Sequence, residues 1–243
     1  MNRSTLQTRY LYWPAKACAR LALATTLTAI AATLTACTTD DYEKGDGKYS
    51  LLTADFVRAY TDSKARVFSV MTDDGDSLLL SKPVSVKWIS TPDTAYRAAF
   101  YHKPDTKAGT QITEAVSLGQ VPTISPHKKD YYKKGIITDP VKLQSVWVSK
   151  NRRYLNTALL LMTGTTEEDV RQTVGFVADT LITHADNKRT LCLTLYHDQA
   201  GAPEYYSQLL YLSIPLAAIQ ADSVCLTVNT YDGKTTHTLP LTP

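Results

Sequence analysis

The first 36 residues contain no Asp and no Glu, against four basic side chains, Arg3, Arg9, Lys16 and Arg20. The chain also lacks a long apolar run. Leu21–Ala36, LALATTLTAIAATLTA, holds 16 uncharged residues, short of the ~20 that cross a bilayer as a helix. A basic start, a short apolar stretch and small residues at its end describe a secretory signal instead. Other absences concern chemistry. No Cys-x-x-Cys or Cys/His cluster points to zinc, and no two of His102, His127, His184, His197 and His237 have the spacing of a local metal pair. There is no Gly-x-Ser-x-Gly nucleophile motif. Gly233-Lys234-Thr235 lacks the upstream glycine of a phosphate loop, because position 228 is Val. No internal repeat or low-complexity tract is visible. No catalytic residue, cofactor or metal ligand is therefore assigned, and a non-enzymatic protein is expected.

The signal ends in Leu34-Thr35-Ala36-Cys37, which resembles the lipobox of a bacterial lipoprotein. The resemblance implies cleavage before Cys37 and lipid on its sulfur and amine. Three acyl chains at ~0.8 kcal/mol per buried methylene anchor a protein essentially permanently. Position two of the mature chain is Thr38, and Asp40, Asp41 and Glu43 follow. These acids resemble the export tag of surface lipoproteins in Bacteroidota, so an outer-membrane protein displayed outward is expected, the periplasmic face being the alternative.

Removing the signal changes the charge. The whole chain has 26 basic and 23 acidic residues; without the four basic residues of the signal the balance is 22 to 23. The apparent basicity thus belongs to export and not to a nucleic-acid surface. The thiols left after export are Cys192 and Cys225, in TLCLTLY and SVCLTVN. Both are out of phase with the apolar residues and face outward from a strand. An oxidising compartment permits a disulfide, provided the Cα atoms come within about 7 Å; two unrelated surface thiols are the alternative.

The mature chain reads as all-β: an N-terminal OB-like small barrel followed by a C-terminal β-sandwich. Residues 37–47 are a polar tether. Residues 48–120 carry short strand signals, LLTADFVRAY, ARVFSVMT, SLLLS, VSVKWIS, AYRAAFYH and QITEAVSL, with the turn Asp73-Asp74-Gly75-Asp76 between the second and third. Residues 121–137, Pro-containing and rich in Lys and Tyr, are the inter-domain connection. Residues 138–243 read as a sandwich of six or seven strands. Pro215–Ile219 suits one helical turn. Residues 165–182 fit helix and strand equally: Thr165-x-x-Glu168 has capping-box form, while Val170, Val174 and Phe176 also alternate.

Several of these stretches resemble the NigD-like lipoproteins of Bacteroidota. They are YSLLTADFVRAY, the SVMTDDGDSLLL hairpin and, above all, ITDPVKLQSVWVSKNRRYLNTALLLM, Ile137 to Met162. There Asp139-Pro140, Val146-Trp147-Val148 and Tyr154-Leu155-Asn156 come in the family's order. LCLTLYHDQAGAPEYYSQLLYLSIPLAAI continues the likeness, although its His197–Gly201 turn matches only approximately and the strand after Glu168 matches weakly. The resemblance implies a barrel plus a sandwich, and a strand over 170–178. It also implies a binding or adaptor protein of the cell envelope, with bacteriocin immunity as the inherited role.

Four groups of residues are candidates for chemistry. His197 with Asp198 and Glu204 could form a metal or acid/base cluster, or a polar hairpin loop. An envelope glycan-binding accessory or hydrolase would need such carboxylates roughly 5–10 Å apart in a cleft. Asp73, Asp74 and Asp76 could bind calcium, but the spacing is not that of a calcium loop and suits a tight turn. Phe56, Tyr60, Phe68 and Trp88 beside Arg58, Arg66 and Lys87 hold the materials of a nucleic-acid groove, yet alternation puts most of the aromatics in the barrel core. His127–Lys134, HKKDYYKK, is either a solvated linker or a contact for anionic headgroups or an acidic glycan. The expected partners are the membrane, through Cys37, and an envelope protein or glycan; nucleic acid is not expected, and the chain is expected to be a monomer.

Overall fold

A computed structural model describes residues 52–103, 111–165 and 170–241. Cys37, its signal and the tether lie outside the described residues. Five strands come first: β1 (Thr53–Thr61), β2 (Val67–Thr72), β3 (Ser77–Val84), β4 (Ala95–Lys103) and β5 (Ile112–Gln120). They close into a barrel in the order β1-β2-β3-β5-β4. Closure rests on the parallel pairing of β3 with β5, Leu79 opposite Ile112, and on β4 returning to β1. This is an OB-like order. Strict alternation along β1 turns Val57 and Ala59 inward, where they meet Val67, Val70, Ala98, Phe100 and Leu118. Closure removes the free sheet edge that an open five-stranded meander would expose.

Two expectations fail in the barrel. Of VSVKWIS, Val84 alone belongs to a strand. The remainder turns back, with Ile89 N–H donating to Val86 O, and plugs one end of the barrel. Trp88 donates to Leu118 O and meets Tyr96 edge-on, so its apolar alternation is satisfied by end-capping and not by pairing. The aromatics, moreover, are mostly not core. Phe68 is exposed, and Phe56 points away from the barrel interior; Phe100 is the fully buried one. Alternation sets a side, but which side is core depends on what packs outside.

Seven strands form the second part: β6 (Lys142–Val148), β7 (Tyr154–Thr163), β8 (Thr173–Thr183), β9 (Arg189–Asp198), β10 (Tyr206–Pro215), β11 (Ser223–Thr230) and β12 (Gly233–Pro240). They make two sheets, β10-β7-β6 and β12-β11-β9-β8. Leu155, Leu159 and Ile214 of one sheet pack against Phe176, Leu193, Leu195, Leu226 and Val228 of the other. The ambiguous segment is strand from Thr173 to Thr183, because a one-sided core needs Phe176 on the inner face. Leu216–Ala218 is a single 3-10 turn, as the Pro215 stop suggests.

The barrel docks on the outer face of the β10-β7-β6 sheet. Phe56 meets Trp147 and Tyr211 edge-on, with centroids 5.4 and 5.0 Å away. Beside it Arg97 of β4 enters a buried polar group. Its Nη1 and Nη2 donate to the two Asp73 carboxylate oxygens, its Nε to Ser213 Oγ, and Nη2 also to Asn156 Oδ1. The guanidinium lies over the Tyr154 ring, 4.1 Å from its centroid.

The connection then closes one side of the sandwich. Ile124 N–H donates to Ser213 O, and Ser213 N–H donates to Pro122 O, along the free edge of β10. Three residues on, His127 N–H donates to Phe176 O and Ala178 N–H donates to His127 O, along the free edge of β8. Both sheet edges on that side are thereby paired. On the other side β6 and β12 are the edge strands, and an opening remains between them.

Candidate functional site

The predicted cluster of His197, Asp198 and Glu204 is not assembled. His197 is a β9 residue and not a loop residue, and it is 1% exposed. Its Nδ1–H donates to Asp139 O, and its Nε2 lies 2.9 Å from Gln172 Oε1. The imidazole thus ties the strand before β6 to the start of β8. Asp198 turns to Lys134, at 3.3 Å, and caps the N–H of Ala200. Glu204 accepts from Gln199 Nε2 and from the Tyr231 hydroxyl. Burial, then the Glu204 contact, raises the Tyr231 pKa above its ordinary value, so that hydroxyl stays a donor. The two carboxylates serve different partners and do not face a common reacting point.

The acidic hairpin is a turn with duties across the interface. Gly75 has φ +103, a left-handed conformation that glycine takes freely. Asp73 holds Arg97, and its backbone oxygen accepts from Asn151 N–H. Asp74 accepts from Lys150 Nζ at 2.6 Å. Two of the three candidate calcium carboxylates are therefore paired with cations.

The basic-aromatic stretch is not a free solvated linker. Tyr132 stacks on Tyr196, with centroids 4.3 Å apart, and its hydroxyl donates to Phe176 O. His127 stacks on Tyr131 at 3.8 Å. Lys129 pairs with Asp179, Lys134 pairs with Asp198, and Lys133 Nζ donates to Asp130 O. Two of its four lysines, Lys129 and Lys134, are thus paired with acids of the sandwich surface, while all four remain exposed.

One hydrogen-bonded chain was not visible in the sequence. In the barrel His102 sits with Nε2 2.8 Å from Asp55 Oδ2 and Nδ1 2.7 Å from Thr113 Oγ1, its ring stacked on Phe100. The order Asp, His, hydroxyl is that of a hydrolase triad. Here, however, the Thr113 hydroxyl is buried and donates to Lys103 O, so it is held as a seam between β4 and β5. Asp55 and Thr113 lie too far apart in sequence for spacing to suggest the contact.

One concavity with room for a ligand is the opening between β6 and β12, about 680 Å3; another, about 720 Å3, lies on the barrel beside Arg58, Tyr60 and Phe68. In the first, Leu143 and Val146 supply apolar wall, Gln144, Thr235 and His237 supply polar groups, and Tyr231 with Asp232 form one rim. A bulge between Leu143 and Ser145 keeps β6 from presenting a flat edge. Tyr205, Tyr206 and Tyr231 are exposed, and the Glu204–Tyr231 bond ties the β9–β10 loop to the rim. No group of three or more metal-ligating side chains occurs among the described residues. Cys192 and Cys225 lie side by side on β9 and β11 with both thiols free.

Solved structures share this architecture. A NigD-like immunity protein from Bacteroides caccae is 24% identical, with a TM-score of 0.61 over 77% of this chain and 91% of that one. A provisionally named toxin-related protein from Parabacteroides distasonis is 15% identical, with a TM-score of 0.58 over 77% of this chain and 92% of that one. A provisionally named lipoprotein from Bacteroides fragilis is 12% identical, with a TM-score of 0.57 over 79% and 98%. At these identities the likeness is one of fold. No curated protein matches the sequence. Residues 123–241 match the NigD-like C-terminal beta sandwich domain, and this part of the chain belongs to that NigD-like domain family.

Proposed function

We propose that the chain is a non-enzymatic binding protein of the cell envelope, lipid-anchored through Cys37, that takes its partner at the open side of the sandwich. The observation that carries this is the asymmetry of the two sides. The connection pairs the edges of β10 and β8, while β6 and β12 flank an unfilled cleft rimmed by Tyr231. Exposed tyrosines give large contact area at low entropic cost, which suits a binding rim. The candidate acids are engaged in structural pairs, which supports binding over hydrolysis. The family likeness supports a protective role against a bacteriocin; the similar Bacteroides caccae protein is itself named an immunity protein.

Photo-crosslinking on intact cells tests the reading. A photoreactive residue at Gln144 or His237 should capture one defined envelope protein or glycan, and the same group at Leu79, exposed on the barrel surface, should not. Equal capture at all three positions, or none at the cleft, would refute the cleft. The address is tested separately. Cys37→Ser should release the chain from membranes, and protease added to intact cells should remove the parent protein.

A further inference from the structure

β9 and β11 run parallel, and Cys225 is the register partner of Cys192. Val224, Leu226 and Leu193, the chain neighbours of the two cysteines, are buried in the core. Both cysteines therefore point to the outer face of the sheet, where they are half-buried. Neighbouring strands lie ~4.8 Å apart, inside the ~4.4–6.8 Å Cα range of disulfides. One row along the same face, Thr190 Oγ1 and Ser223 Oγ are 2.7 Å apart. Side chains paired across this junction do touch. Thr180 and Thr238 flank the cysteines on the outer strands, so the row is Thr180, Cys192, Cys225, Thr238.

The geometry points to Cys192 and Cys225 as a disulfide-forming pair, closed by thiol–disulfide exchange with a protein or glutathione disulfide after export. One cysteine attacks the oxidant's S–S bond, forming a mixed disulfide and releasing one thiol. The other attacks the mixed bond and releases the second thiol. Two protons leave the pair, and its two electrons reduce the oxidant's disulfide to two thiols. Burial, then the neighbouring Cys225 sulfur, holds the Cys192 thiol above its ordinary pKa, which makes it a poor first nucleophile at neutral pH. The bond would join strands that are distant in sequence, since all of β10 intervenes in the other sheet. It would staple the β8–β9 hairpin to the β11–β12 hairpin.

The full chain extracted from cells is reduced, incubated with oxidised glutathione, acid-quenched, treated with iodoacetamide and digested with trypsin. Thr190–Lys234 contains both cysteines and no internal Lys or Arg, so one peptide reads the result. The expected peptide is two hydrogens lighter than the reduced form and carries no alkyl group. After dithiothreitol it carries two. In Cys225→Ser the remaining Cys192 should be alkylated or carry glutathione. Two alkylated cysteines in the oxidised parent, or a bond from either cysteine to another chain or to Cys37, would overturn the pair. The oxidant rests on the export reading, which direct quenching of cells tests. A pair that closes with glutathione but is reduced in cells would overturn export and leave the pair standing.

Discussion

Arg97 and Asp73 meet through two parallel N–H···O bonds of 2.6 Å each, and their side chains are 2% and 13% exposed. One comes from a barrel strand and the other from the tip of the acidic hairpin, and both end against Asn156 and Tyr154 of the sandwich. A pair this buried costs desolvation on each side, so its worth appears when one partner is taken away.

Removing one partner should be severe. Asp73→Ala leaves the Arg97 guanidinium buried with only neutral acceptors, and a loss of about 3–5 kcal/mol is expected. The double variant Asp73→Ala, Arg97→Ala should cost less than the sum of the single variants. Urea midpoints at constant slope measure both. Because Asp73 and Asp74 already hold cations, calcium should leave the melting temperature unchanged.

His197 offers a second prediction. His197→Ala removes a buried ring and both of its contacts, to Asp139 O and Gln172. A loss of about 2–4 kcal/mol is expected from the cavity and the unpaired groups. Below its lowered melting temperature the variant should still be captured at the cleft to the parent's extent. Loss of capture in a folded variant would mean that His197 does more than tie strands.

Tyr132 and Gly175 are coupled. Burial, then Tyr131 and Tyr196, raises the Tyr132 pKa above 10.0. The unfolded chain thus releases this proton first. The stability tied to it is whole below about pH 10 and is lost as pH rises through the folded value. Tyr132→Phe should cost about 0.5–1.5 kcal/mol at neutral pH, one hydrogen bond's worth, and the gap to the parent should narrow at alkaline pH. A Cβ on Gly175 would stand 2.7 Å from the Tyr132 hydroxyl, but 3.5 Å from the next ring atoms. Gly175→Ala should therefore cost about 1–3 kcal/mol in the parent and clearly less in Tyr132→Phe. Equal costs in thermal melts of both backgrounds would refute the coupling.

The strands were legible because alternation is local. Val57 and Ala59 announce an inner face, and Asp73-Asp74-Gly75 announces a turn, whereas the segment holding Phe176 fits helix and strand equally. What was not legible depends on contacts distant in sequence. Phe56 reads as barrel core until Trp147 and Tyr211 cover its other side. His197 reads as loop because the β9 pairing that continues through Asp198 is set by β8. HKKDYYKK reads as an unattached linker because Asp179, Tyr196 and Asp198, which hold it, lie far along the chain. The candidate site shares this limit: an opening between β6 and β12 is a property of sheet order, and no residue pattern encodes it.

Sheet order also leaves the Thr157 hydroxyl without a partner among the described residues. Thr157 alternates with Leu155 and Leu159 on the inner face of β7 and is buried. Thr pairs across to Val146 and Leu212 in register, and neither side chain offers an acceptor. An unmet buried hydroxyl costs about 1–3 kcal/mol. Val has nearly the same shape and no hydroxyl, so Thr157→Val should raise stability by about 1 kcal/mol, since part of the penalty is relieved by local adjustment. Thr157→Ser should instead lose about 1 kcal/mol, because it keeps the hydroxyl and deletes a packed methyl. Urea unfolding of the two variants separates the accounts: a destabilised Thr157→Val would mean that the hydroxyl has a partner in the folded protein.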